Sequence, residues 1–190
     1  MNDITGIILA GGRSSRFGSD KAFALFRGRM MIEYSINALK NLCNPLVISA
    51  GNENYTQFGF QVVADNFPEG GPLSGMEACM KAFPAKAYLV SGCDTPLINN
   101  SIFETLLKEL NTYDAVLLTD SSGKPEPLIA CYSASSYPII LHALENKHYK
   151  VQEILSQMNC LYLLPTDPSV LVNINTTQVF DRLQPPLDLY

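Results

Sequence analysis

Two adjacent glycines, Gly11 and Gly12, are followed by Arg13, Arg16 and Lys21 in the stretch T-G-I-I-L-A-G-G-R-S-S-R-F-G-S-D-K at 5–21. Residues without a Cβ let a ligand come close to main-chain N–H groups, and cations just beyond them can meet an anion, so the combination suits a phosphate. Read alone, it fits a plain turn with solvated cations equally well. Two common phosphate loops are excluded by spacing: Gly12 and Gly18 do not form G-x-x-x-x-G-K-[ST], and Gly11-Gly12-Arg13 does not supply G-x-G-x-x-G. Two carboxylates also follow apolar runs. Asp94 stands in Y-L-V-S-G-C-D-T-P-L, where it can cap a turn or hold a metal ion. Asp65 opens D-N-F-P-E-G-G-P-L-S-G, a segment that is either a connector or part of a binding site.

Something must hold these groups on one edge. Ile7-Ile8-Leu9 reads as a strand buried on both faces, and so do 46–48, 61–64 and the run ending at Gly92. Apolar spacing predicts helices over 30–42, 73–83, 100–111 and 135–145. Strand, helix, strand at this spacing is a βαβ unit, and right-handed crossovers lay such strands parallel with helices on both faces. In an open sheet of this kind ligands bind outside the carboxyl ends of the strands, which puts Asp94 on the same edge as Gly11 and Gly12. Further strands are expected over 114–119, 128–132 and 161–163, with 121–127 as a turn-rich interruption.

The chain has 190 residues, 47% of them hydrophobic, enough for one well-buried domain; 1–183 is read as that domain and 184–190 as a frayed tail. A net charge of −5 argues against nucleic acid or an anionic membrane as the main partner, and makes the local cations stand out. Five cysteines without C-x-x-C spacing suggest neither a zinc site nor a disulfide framework, and are expected as buried, reduced thiols. No stretch approaches the roughly 20 apolar residues of a membrane span, and a soluble, cytoplasmic protein is expected. His142 and His148 stand alone, without a nucleophile or metal constellation.

The segment L-A-G-G-x-S-x-R-x-G-x-D-K, from Leu9 to Lys21, resembles the signature of nucleotidyltransferases, above all that of the molybdenum cofactor guanylyltransferase (MobA) family. The likeness runs in order through Asp65 and G-P-L-x-G, C-D-T-P-L at Cys93 to Leu97, P-L-x-A-x-Y from Pro127, and N-I-N-T at Asn173 to Thr176. It implies a Rossmann-like three-layer α/β sandwich, with a mostly parallel sheet, helices on both faces and one antiparallel strand at 128–132. It also implies roles: Leu9, Ala10, Gly11, Gly12, Lys21, Asp65, Gly71 and Asp94 for the nucleotide, Asp94 for Mg²⁺, and Asn173, Asn175 and Lys150 for the acceptor. Lys21, Arg16 and Asp94 are the catalytic candidates. A carboxylate suits Asp65's role because it can accept from both the N1–H and the exocyclic amine of guanine. Departures are Glu126 where a histidine is frequent, Lys147, His148 and Lys150 where arginines are frequent, and Thr177-Gln178 in place of Pro-Glu.

The resemblance implies transfer of GMP from GTP to the terminal phosphate of molybdopterin or Mo-molybdopterin, with release of pyrophosphate. The acceptor phosphate is itself the nucleophile, so the protein needs to supply charge and geometry rather than a covalent group. The molybdoenzyme apoprotein or its chaperone is a further expected partner. A cytidylyltransferase or sugar-phosphate nucleotidyltransferase of the same fold is the nearest alternative. A non-catalytic nucleotide-binding or delivery module is the alternative of another class, and the presence of both Lys21 and Asp94 weighs against it.

Overall fold

Ile7, Ile8 and Leu9 fall at the end of an interior strand of a seven-stranded sheet in the computed structural model, which describes residues 2–10 and 20–174. This strand, β1 (Asn2–Leu9), is followed by a small hairpin of β2 (Leu25–Phe26) and β3 (Arg29–Met30), then helix α1 (Met31–Leu39) and β4 (Leu46–Ser49). Next come β5 (Gln61–Val63), α2 (Pro72–Ala82), β6 (Ala85–Gly92), α3 (Asn100–Glu109) and β7 (Ala115–Thr119). The order closes with β8 (Pro125–Ser133), α4 (Ser136–Glu145), α5 (Val151–Leu155) and β9 (Cys160–Leu163).

The spatial order is β5-β4-β1-β6-β8-β7-β9. From β1 the chain steps outward through β4 to β5, then returns to place β6 on the other side of β1, all in parallel. This reversal opens a crevice at the carboxyl ends of β1 and β6, where Leu9 lies opposite Gly92. β8 runs antiparallel to both its neighbours, β6 and β7, while β9 is parallel to β7, so the expected architecture with one reversed strand is present.

Alternation along the strands explains the layers. Ile8, Ile48, Leu89 and Val116 face α1 and α3, meeting Ile32, Ile36, Phe103 and Leu106. Ile7, Val47, Val90 and Leu117 face the other way, against Leu73 and Met76 of α2, Ile140 and Leu144 of α4, and Ile154 of α5. Helices therefore cover both faces, and this is why β4 and β7 are apolar almost throughout. A third cluster, of Phe26, Met31 and Ile174, closes the base of the hairpin.

Three features differ from the sequence expectation. β8 begins at Pro125 instead of 128, and the turn before it is short because the Asp120 carboxylate accepts from the backbone N–H groups of Ser122 and Lys124. Its prolines are accommodated by a register shift between Leu117 and Leu118, a bulge that spares them from donating ladder hydrogen bonds. The β2–β3 hairpin was not expected; Arg27 and Gly28 both have positive φ, 48° and 78°, as a two-residue type I′ turn requires. The five thiols are free, but only Cys79 and Cys131 are fully buried, with Cys43, Cys93 and Cys160 partly covered. Among the described residues no helix is long and apolar enough to cross a membrane.

Candidate functional site

Lys21, Asp94 and Asn173 come from three distant parts of the chain and meet at the carboxyl edge of the sheet. Lys21 opens a one-turn 3-10 helix, Lys21–Phe23, whose N-cap, Asp20, accepts through Oδ1 from the backbone N–H of Ala22 at 3.2 Å. The Lys21 ammonium lies 3.5 Å from Asp94 Oδ2 and 3.5 Å from Asn173 Oδ1. Asp94 follows β6 by two residues, and its carbonyl accepts from the N–H of Ile174 at 2.9 Å, which pins the segment bearing Asn173 to the strand end. The strand end is itself held: Ser35 of α1, buried, donates to the Gly92 carbonyl at 2.7 Å, with Ser91 Oγ 3.1 Å from Ser35 Oγ. A Cβ at Gly92 would stand 2.9 Å from Asp94 Oδ1, so a side chain there would push the carboxylate aside.

On the far side of β1, Asp65 follows β5, and Ser49 at the end of β4 donates to its Oδ1 at 3.1 Å. Partial burial raises the Asp65 carboxyl above the usual carboxylate range, and the Ser49 hydroxyl opposes the rise. The glycine of G-P-L-S-G explains itself here. A Cβ at Gly75 would stand 2.3 Å from Ser49 Oγ and 2.9 Å from Leu9 Cδ2, so only glycine lets α2 approach the ends of β1 and β4 without displacing the serine that holds Asp65. Gly71 caps α2 at φ +55° and leaves the helix N-terminus beside this edge. Leu9 and Ala10 are buried, and the Ala10 main chain is engaged within the protein: its N–H donates to the Ser49 carbonyl at 3.0 Å and its carbonyl accepts from the Tyr55 hydroxyl at 2.8 Å.

Gly11, Gly12, Arg16 and Asn175 lie outside the described residues. Lys150 is the N-cap of α5, and its ammonium pairs with Glu153 at 2.8 Å on the exposed surface instead of joining the Lys21–Asp94–Asn173 group.

Several residues at the site carry no motif. Glu126 on β8 is partly buried, and burial together with the negative charge of Asp94 raises its carboxyl, so the departure from histidine puts a second carboxylate in the field of the first. Glu77 on α2 is completely buried; Asn66 Nδ2 donates to it at 2.8 Å and the Tyr137 hydroxyl at 3.2 Å, which holds the residue beside Asp65. Ser74 Oγ accepts from the N–H of Phe67 in the same loop. Nothing in the sequence singles out Ser35, Ser49 or Glu77, because each is defined by a partner far along the chain.

For a divalent cation the donor set is one partly exposed carboxylate, Asp94, with Glu126 in its field; among the described residues no group of three or more metal-ligating side chains occurs. That is too few for a protein-only cage, but it suits an ion such as Mg²⁺ that keeps waters and shares substrate phosphates.

The chain matches the model of the MobA-like NTP transferase domain over residues 6–161. A probable molybdenum cofactor guanylyltransferase of Carboxydothermus hydrogenoformans is 32% identical, over 96% of each chain. One from Bacillus subtilis is 31% identical over 94% of this chain and 93% of that one. Among solved structures, the molybdopterin-guanine dinucleotide biosynthesis protein A of Archaeoglobus fulgidus superposes with a TM-score of 0.80 at 22% identity, covering 95% and 96%. At that identity the superposition speaks for the fold.

Proposed function

The chain belongs to the MobA-like NTP transferase family, and on that premise we propose that it transfers GMP from GTP to the terminal phosphate of molybdopterin or Mo-molybdopterin. The products are the guanine dinucleotide cofactor and pyrophosphate. The observation that carries this reading is the meeting of Lys21, Asp94 and Asn173 at the crevice between β1 and β6.

A phosphate oxygen of the acceptor attacks the α-phosphorus of GTP in line, forming one P–O bond as the bond to the pyrophosphate oxygen breaks. Two anions have to approach one another, so the barrier is chiefly electrostatic. Lys21 and Arg16 lower it by placing positive charge against the triphosphate, and the segment of Leu9, Ala10, Gly11 and Gly12 fixes its position. Asp94 is the residue that would hold Mg²⁺, which when bound supplies charge neutralisation at the phosphates. Asp65 reads guanine by accepting from N1–H and the exocyclic amine, with Gly71 closing the loop over the base. Asn173 and Asn175 are assigned to the pterin, whose edges both donate and accept, and Lys150 would have to leave Glu153 to meet the acceptor phosphate as a point charge. Residues 1–183 act as one nucleotidyltransferase domain in this reading, a cytoplasmic location suits its substrates, and the molybdoenzyme apoprotein or its chaperone receives the product.

The test is pyrophosphate release with molybdopterin, Mg²⁺ and GTP, CTP, ATP or UTP in turn. GTP is expected to turn over alone at a substantial rate. Preferential use of CTP, or release without the pterin, would overturn the assignment.

A further inference from the structure

Tyr55 lies in a 3-10 helix, Glu53–Phe58, that follows β4, and its side chain is 1% exposed. The ring packs against Phe23, with centroids 5.0 Å apart, and against Phe58 at 6.5 Å. Its hydroxyl is 2.8 Å from the carbonyl oxygen of Ala10 and 2.7 Å from Oδ2 of Asp20. Ala10 immediately precedes Gly11, and Asp20 immediately precedes Lys21. One phenolic group thus touches the residue before the glycines and the residue before the lysine, 10 positions apart in the chain. Asp20 does double duty: Oδ2 meets Tyr55 while Oδ1 caps the turn from which the Lys21 ammonium reaches Asp94.

We propose that Tyr55 is a positioning residue for nucleotide binding, its hydroxyl tying Ala10, which leads into Gly11, to Asp20, which leads into Lys21, so that this stem and the Lys21 ammonium are held at a fixed separation for one triphosphate. The proposal rests on the reading of Ala10 and Lys21 as nucleotide-binding residues. The ring and the hydroxyl divide the work. The ring fills space beneath Phe23, which any aromatic residue would do, whereas the hydroxyl alone joins the two stems. Burial and the neighbouring Asp20 carboxylate push the phenol far above its ordinary range, so the O–H keeps its proton at any pH at which the enzyme operates. It therefore remains a donor, and its single proton serves two acceptors.

Tyr55→Phe keeps the ring and deletes the link. The expected result is an amide hydrogen exchange rate over residues 21–24 that rises about fivefold, the equivalent of one ordinary hydrogen bond, with β6 and α2 unchanged. With the pterin and Mg²⁺, kcat/KM for GTP should fall about tenfold while KM for the pterin stays where it was. Tyr55→Phe combined with Asp20→Ala should be no worse than Asp20→Ala alone, because the tyrosine acts on Lys21 through Asp20. Unchanged exchange over 21–24 in folded Tyr55→Phe, or equal damage to the GTP and pterin parameters, would overturn the proposal. Should Tyr55→Phe fail to fold, Asp20→Asn keeps an Oδ1 acceptor for the Ala22 N–H but replaces the Oδ2 that accepts from the phenol by an amide donor, and is judged by the same exchange measurement. Exchange does not depend on turnover, so failure of the clamp and failure of the guanylyl-transfer reading give different results.

Discussion

Replacing Lys21 by alanine should separate chemistry from folding. Its ammonium stands 3.5 Å from Asp94 Oδ2. Two unit charges at that distance interact by about 5 kcal/mol at an effective dielectric of about 20. The side chains are 12% and 24% exposed, and desolvation together with residual screening brings the net contribution of the pair down to about 1–2 kcal/mol. For a chain of this size that is a fall in Tm of about 2–8 °C. The effect on turnover should be far larger. A preorganised charge aimed at the developing charge of the transition state is worth about 3–4 kcal/mol, so kcat should drop roughly 100- to 1,000-fold. Lys21→Arg should recover part of this, since it restores the charge but presents a planar fork instead of a compact ammonium. The assay is steady-state pyrophosphate release at saturating GTP and pterin, beside a thermal melt of the same preparation. Turnover within threefold of the parent would refute the role. A collapse in Tm far beyond the estimate would show that the loss is one of folding.

Asp94→Asn should lose turnover on the same scale while the melt moves by no more than a few degrees, and its residual activity should respond only weakly to added Mg²⁺. Asp65 provides a pH test. Its folded carboxyl is raised, so its ionisation opposes folding, and that cost sets in as pH climbs from about 4, the unfolded value, through the raised one. Asp65→Asn should therefore gain Tm relative to the parent above that window and lose the gain below it, while the GTP-to-ATP ratio of kcat/KM falls at least about tenfold with the loss of the carboxylate acceptor. A constant Tm difference across the window would contradict this. Gly75→Ala forces a Cβ to within 2.3 Å of Ser49 Oγ, and should cost about 1–3 kcal/mol by denaturant melt and raise KM for GTP by loosening Asp65. A neutral substitution would mean that α2 can shift freely.

The apolar runs at Ile7-Ile8-Leu9, 46–48 and 88–92 made the parallel strands legible, and with them the position of Asp94 just past the carboxyl end of β6. The β2–β3 hairpin stayed hidden because two-residue strands have no period to detect, and Arg27 at positive φ is not the residue a turn of that type usually advertises. The start of β8 was misplaced because Pro125 and Pro127 read as turn residues, whereas a bulge absorbs them. Within the site, the charged members came from motifs. The neutral groups that hold them, Ser35, Ser49, Tyr55 and Asn66, depend on contacts between separate elements, which local pattern does not encode.

The pinning of Ile174 to Asp94 also separates the part of the chain that builds the sheet from the part that completes the site. The last described strand of the large sheet, β9, ends at Leu163, so the pairing of the seven strands needs none of the residues beyond it. Ile174 joins Phe26 and Met31 in the third cluster and brings Asn173 up to Lys21. Architecture is thus complete without the catalytic edge. A chain cut shortly after β9 should melt as a folded protein yet lack Asn173 beside Lys21, so truncation from that end should remove turnover before stability.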